Sequence, residues 1–361
     1  MWVQPYRSTI EQIPPRLDVD HRVAVLLNAN ARKVTTRVVR SLSHVVPEGD
    51  LFVSRSELDA RRIAQTVVDR GYHTVFLGGG DGTLMCFVNE IVSEVGRRRR
   101  FHPTTLPRFG VLKLGTGNSV AALVRASSTR GDAIVDDVLR ARSGEVPGTK
   151  SLDLLLIDGK RAPFAGLGMD GQLLNDYIAV KRAFAEGPLK KLMSGGAGYF
   201  TSVAFKTVPY YLANSNSVDC EIVNQGPVAW RMGPDGRPVE TFGAGATLFK
   251  GPLVMAAAGT VPFYGYELKM FPFAGKRRGM FDLRVGHLSA ASILANLPGL
   301  WAGTWFPEGL HDFLANDVSI RFSRPMPFQV AGDAEGHREE LRIQTAAESI
   351  EVCDFSGAAS H

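Results

Sequence analysis

The sequence predicts a two-domain chain: an α/β domain with a mostly parallel sheet, then a mainly β domain. Three observations carry this. The 361 residues exceed the roughly 100–200 that one hydrophobic core usually organises. From Arg22 to Leu114 short apolar runs alternate with helix-like stretches, the pattern of parallel strands with helices on the sheet faces. Near Pro147 the texture changes to short apolar runs and turn signals such as Pro234-Asp235-Gly236, which read as antiparallel strands. The division falls at residues 20–148 and 149–355.

The first strand is Arg22 to Asn28, apolar on successive residues as a strand buried on both faces must be. Leu51 to Val53 is the second, with Ser54 and Ser56 as candidate caps for a helix that stops at Gly71. Thr74 to Leu77 is the third, followed by a glycine turn and an apolar-periodic helix from Leu84 to Val95. Phe109 to Leu114 is the fourth and enters a second glycine turn. Beyond Lys150, one helical passage from about Leu173 to Val208, with Lys181, Arg182, Lys190 and Lys191, interrupts the strands. Arg97 to Arg100 reads as a solvated loop between helix and strand.

Composition narrows the functional classes. A content of 45% hydrophobic and 21% charged residues is that of a globular chain. The net charge of +5 is too mild to announce nucleic acid, and suits an anionic ligand or membrane surface. Cys86, Cys220 and Cys353 form no disulfide framework or zinc spacing, which fits a reducing cytoplasm. The first twenty residues lack the apolar core of a signal peptide, and the most apolar stretch, Ser292 to Phe306, is too short to span a bilayer. The expectation is a cytoplasmic protein, peripheral at most at the inner membrane face.

The chemistry concentrates in Gly78-Gly79-Gly80-Asp81-Gly82-Thr83, set between a strand and a helix. Successive glycines let the backbone approach a phosphate, and the helix N-terminus offers free N–H groups and favourable dipole. A carboxylate in such a loop, Asp81, suits a divalent cation held against the phosphates, or else a helix cap. A second turn, Gly115-Thr116-Gly117-Asn118-Ser119, repeats the arrangement one unit later, so both face one crevice at the carboxyl ends of the strands. Asn28-Ala29-Asn30-Ala31-Arg32 follows the first strand and reaches the same rim.

These residues resemble the diacylglycerol kinase catalytic domain, a family that includes sphingosine, ceramide and bacterial lipid kinases. Gly79 to Thr83 match its GGDGT motif and Gly115 to Asn118 its GTxN turn; Asn28 ends the first strand as in the family, and Ser54 stands where it often has a nucleotide-contacting Thr. Downstream, Gly279 to Asp282 look like its G-L-L-D strand and Asp333-Ala334-Glu335 like its D-G-E motif. The resemblance implies a Rossmann-like N-terminal domain and a C-terminal β-sandwich, with the active site in the cleft between them and the last segment returning to the first domain. It also implies ATP along Asn28 to Arg32, Ser54, Gly79 to Thr83 and Gly115 to Asn118, with Mg²⁺ at Asp81 and Asp333. Glu335 is implied as the base that takes the proton of a lipid hydroxyl, with Asp81 catalytic beside it.

Five residues depart from the family pattern. Lys113 replaces a Pro, Ser119 an Asp and Ala334 a Gly. Arg277 and Arg278 replace acidic residues that hold a structural Mg²⁺ in many bacterial relatives; a guanidinium cannot ligate a cation, so these two are free to pair with Asp282 or to meet anionic lipid. The leading reading is an ATP- and Mg²⁺-dependent kinase of diacylglycerol or a related long-chain lipid, touching an anionic membrane and no nucleic acid. A kinase of a soluble substrate such as NAD, and a nucleotide- or lipid-binding protein without catalysis, are the alternatives. Neither the lipid nor the oligomeric state is legible; Phe184, Met193, Tyr199 and Phe200 are candidates for an acyl pocket or for plain core.

Overall fold

The structure, a computed structural model, describes residues 22–168 and 217–355 apart from 32, 116–117, 128–132, 145–147, 265–267, 290–291 and 293–294. The expected helical passage near residues 173–208, with its cations and the four acyl-pocket candidates, lies outside the described residues.

The N-terminal sheet has six strands in the order β2-β1-β3-β4-β18-β5. The first four, β1 (Val23–Asn28), β2 (Leu51–Ser54), β3 (Thr74–Gly79) and β4 (Arg108–Lys113), are parallel. Strand alternation splits the apolar residues between two faces. Ala24 and Leu26 of β1 pack with Ala60 and Ala64 of α2 (Glu57–Arg70) and with Leu84 and Val88 of α3 (Asp81–Arg98). Val23, Val25 and Leu27 turn the other way, onto Leu42 of α1 (Thr36–Ser43) and Ile134 and Val138 of α5 (Ala133–Arg142). Helix α2 is bounded as its sequence predicts: Ser56 Oγ accepts from the Asp59 N–H at 3.1 Å, and Gly71 ends the helix at φ 62°.

Helix α3 runs longer than its apolar period suggests, from Asp81 through Arg98, so the arginine run is helix end rather than free loop. Arg97 and Arg98 both pair with Glu94, Arg98 also reaches Asp69 at 2.6 Å, and Arg99 grips Glu348 with 2.9 Å bonds to both oxygens. Cations at this end also complement the helix dipole.

The C-terminal region is an antiparallel network of twelve strands. Its long strand β16 (Asp317–Val330) bends at register shifts, so that its first half pairs with β9 (Val218–Asn224) and its last residues with β8 (Phe164–Gly168). The chain then turns and returns as β17 (Asp333–Thr345). Strand β18 (Ile350–Cys353) leaves this network and joins the first sheet, parallel to β4 and antiparallel to β5 (Thr149–Leu152). Between these strands, Arg278 pairs with Asp153 at 3.2 Å and bonds Ser151 and Ser349, while Arg277 lies over the Trp230 ring. The expected pairing of either with Asp282 is therefore not formed. In the apolar stretch from Ser292, helix α6 (Leu297–Ala302) packs Leu300 against the core.

Asp282 lies fully buried beside the Arg284–Asp312 pair, whose Nε–Oδ1 distance is 2.6 Å. Burial, and then the Asp312 carboxylate, push Asp282 well above the ordinary carboxylate range against the pull of Arg284. The folded protein therefore binds this proton more tightly than the unfolded chain. Its contribution to stability is fully present below the unfolded value of about 3.9 and is lost as pH rises through the folded one. Asp282→Asn, which cannot ionise, is expected to shrink the fall in melting temperature from pH 4 upward; melts across pH that match the wild type would contradict this. Asp312→Ala strands Arg284, 1% exposed at its side chain, and should cost about 3–5 kcal/mol in urea unfolding.

Candidate active site

Both glycine turns sit at the carboxyl ends of β3 and β4, and their glycines are dictated by contact. A Cβ on Gly115 would collide with the Gly80 backbone, one on Gly79 with the Thr83 side chain, and one on Gly78 with Leu27. The rim beside them is stitched by hydrogen bonds. Asn28 Nδ2 donates to Thr83 Oγ1 at 2.9 Å while Asn28 Oδ1 accepts from the Asn30 N–H at 2.9 Å. The Ala29 N–H donates to the Ser54 carbonyl at 2.8 Å, and the Ala31 N–H to the Asn28 carbonyl at 3.0 Å. The structure thus brings together Asn28, Ala29, Asn30, Ala31, Ser54, Gly79 to Thr83, Gly115 and Asn118; Arg32, Thr116 and Gly117 lie outside the described residues. Ser54 does not cap α2, since its hydroxyl donates to the Ser56 carbonyl at 2.9 Å.

Asp81 has a structural task beside the one the motif suggests. It is buried, and both its carboxylate oxygens accept from the Ser119 N–H at 2.9 Å, with Val120 N–H at 3.4 Å. These are the first amides of α4 (Ser119–Leu123), whose own Ncap residue, Asn118, instead closes its turn on Gly115. Burial pushes the Asp81 carboxyl up, and the Ser119 and Val120 bonds pull it back. With both oxygens accepting from these amides, Asp81 acts as a clamp between α3 and α4.

The carboxylates that do face the crevice arrive from the far end of the chain. After β16, Ala331 and Gly332 turn the backbone at φ 50° and 87° and start β17 at Asp333. Its carboxylate lies so close to Gly82, in the first turn of α3, that a Cβ there would collide with it. Asp333 is open to the groove yet walled by protein elsewhere; burial and then Glu335 push its carboxyl up, while Lys160 pulls it down. Glu335 is half-buried and pairs with Lys160 Nζ at 2.6 Å. Lys160 and Arg161 belong to β7 (Lys160–Ala162), which Asn89 ties to α3 through bonds to both the Arg161 N–H and carbonyl, at 2.8 and 2.9 Å.

A groove of about 950 Å³ opens at this point. Gly82, Met85, Asn89, Ser93 and Arg97 line it at helical spacing, so it follows one face of α3 for about 22 Å at 1.5 Å per residue. Among the described residues no three His, Cys, Asp or Glu side chains gather as an all-protein metal site. Mg²⁺ needs less, since one or two carboxylates suffice when substrate phosphates and waters complete its shell. Asp333, which makes no ion pair among the described residues, fits that demand.

The structural role of Asp81 has a measurable consequence. Asp81→Asn has one acceptor oxygen and turns an N–H donor at the α4 amides, so its melting temperature should fall, by roughly 1.5–3 kcal/mol of stability per charged hydrogen bond lost. An unchanged melt would mean that the carboxylate does not hold α4.

Comparison with known proteins agrees with this fold. Residues 22–149 match the family model of the Diacylglycerol kinase catalytic domain. Proteins from two strains of Xanthomonas oryzae pv. oryzae, each described as "Probable lipid kinase YegS-like", are 32% identical over 155 residues, 43% of this chain and 45% of each relative. The chain thus matches less than half the length of these relatives. A diacylglycerol kinase structure from Bacillus anthracis str. Sterne is 13% identical, covers 94% of this chain and 98% of its own, and has a TM-score of 0.58. A second chain from that organism, 13% identical over 94% of this chain and 99% of its own, reaches 0.61. At such identity the likeness shows the fold, a parallel-sheet domain followed by an antiparallel one. Residues 22–149, which carry both glycine turns, accordingly match the diacylglycerol kinase family that the motifs resemble.

Proposed function

We propose that this chain transfers the γ-phosphoryl group of ATP to a hydroxyl of diacylglycerol or a related long-chain lipid, working at the surface of an anionic membrane. The observation that carries this reading is the approach of Asp333 to Gly82 at the start of α3, with Glu335 lining the same groove. It sets two carboxylates beside a helix N-terminus and two glycine turns suited to phosphate. The family match over residues 22–149 supports the kinase chemistry.

In this reading the backbone of Gly79 to Thr83 and of Gly115 to Asn118 cradles the ATP phosphates, with Asn28 and Ser54 on the adenosine side. Asp333 would hold Mg²⁺, which when bound neutralises charge on the phosphates. Glu335 takes the proton of the acceptor hydroxyl as its oxygen bonds to the γ-phosphorus and the bond to ADP breaks. Lys160 holds the Glu335 carboxylate in place and keeps a positive charge near the transferred group.

Glu335→Gln keeps the size of the side chain but cannot accept the proton. Turnover with ATP, Mg²⁺ and a lipid panel should fall by about two to four orders of magnitude, with ATP binding kept. Lost ATP affinity with intact turnover at saturating ATP would instead put Glu335 in the nucleotide site, leaving Asp333 as the base.

A further inference from the structure

Midway along the groove, Arg161 is out of place by ordinary rules of burial. It is half-buried and its Nε is fully enclosed without a hydrogen-bond acceptor among the described residues. Burial pushes its guanidinium down from its usual value, and Glu348 is the one carboxylate that draws it up. A guanidinium nonetheless stays charged in proteins. Glu348 is already spent, since Arg99 holds both its oxygens. The other acidic side chains of that stretch are likewise paired, Glu90 with Arg61 and Glu94 with Arg97 and Arg98.

The position of Arg161 is built rather than incidental. The two Asn89 hydrogen bonds fix its backbone against the middle of α3, about 10 Å along the helix from Gly82 at 1.5 Å per residue. The facing floor of the groove is small, Ser93 and Gly96, with open space above Gly96. A cation with five donors, an enclosed nitrogen lacking an acceptor, and room beside it are the features of an anion site.

We infer that the middle of the groove is an anion-binding subsite in which Arg161 takes a phosphate or carboxylate group borne by the acceptor. The acceptor class is then an anionic lipid with a free hydroxyl. This deepens the kinase reading by naming the substrate class, and its test reads binding without turnover.

With saturating ADP present to occupy the glycine turns, the full chain is titrated calorimetrically with dihexanoyl phosphatidylglycerol, which carries both a phosphate and free hydroxyls, with dihexanoylglycerol and with inorganic phosphate. The wild type should bind the anionic lipid at least about tenfold more tightly than the neutral lipid, the worth of one charge-assisted contact. Arg161→Met should erase that preference, and Arg161→Lys should keep part of it. Ser93→Asp, an exposed change on α3, should erase it by charge repulsion even if Arg161→Met fails to fold. Inorganic phosphate competing fully with the anionic lipid would assign the site to the phosphate group alone, and partial competition to a lipid-borne phosphate; both support the subsite. Equal affinity for the two lipids in the wild type, or a preference unchanged in both Arg161→Met and Ser93→Asp, overturns it. A retained preference without any phosphoryl transfer would overturn the kinase reading and leave the subsite standing.

Discussion

The contact on which the site depends is that of two backbones. Gly80 and Gly115 approach so closely that Gly115 has no room for a side chain, and this sets the two glycine turns on one rim instead of on two separate loops. The contact is held from beneath by Asp81, whose buried carboxylate would cost several kcal/mol of lost hydration if left without partners. It finds them in the α4 amides. Charge-assisted bonds to backbone N–H groups are among the stronger ones a protein makes, so the same residue that must be satisfied also fixes α4 against α3. A motif that looks like ligand chemistry is therefore, at its central acid, first a device of local structure.

The second requirement is that Asp333 should stay beside Gly82, although nearly the whole C-terminal region separates them in sequence. The ion pairs Lys160–Glu335, within the C-terminal network, and Arg278–Asp153, beside the end of β5, are more than half exposed on the cation side, and such pairs contribute at most about 1 kcal/mol each. They cannot be the main tie. The return of β18 into the first sheet between β4 and β5 holds backbone to backbone, and the Asn89 side-chain amide holds the β7 backbone through paired bonds in part-buried surroundings. These position the carboxylates, and the ion pairs adjust their charge.

Legibility in the sequence followed the range of the interaction. The first strands, the α2 boundaries at Ser56 and Gly71, and the glycine turns are local, and each could be read from residues within a few positions of one another. The end of α3 was misread because Arg97 to Arg100 look solvated until Glu94, Asp69 and Glu348 are seen to meet them. Lys160 carried no signal at all, since its partner Glu335 is 175 positions away and an Asp-Gly turn followed by two cations is an ordinary hairpin. Asp81 was legible as a metal-binding or capping residue but not as one that holds α4, because the amides whose bonds it accepts come from the neighbouring unit.

The character of the groove limits how a lipid could use it. Its walls carry Glu57, Arg61, Glu90, Arg97 and Arg161, and covering such groups with acyl chains would strip their hydration without return, at a cost of several kcal/mol for each uncompensated charge. Apolar burial returns only about 0.8 kcal/mol per methylene, so a chain of many methylenes would still lose against a few stranded charges. Under the kinase reading, then, the groove admits the polar end of the acceptor and the acyl chains lie elsewhere. The bilayer satisfies that requirement without a deep apolar pocket: the hydroxyl is carried to Glu335 along α3 while the hydrophobic remainder never leaves lipid.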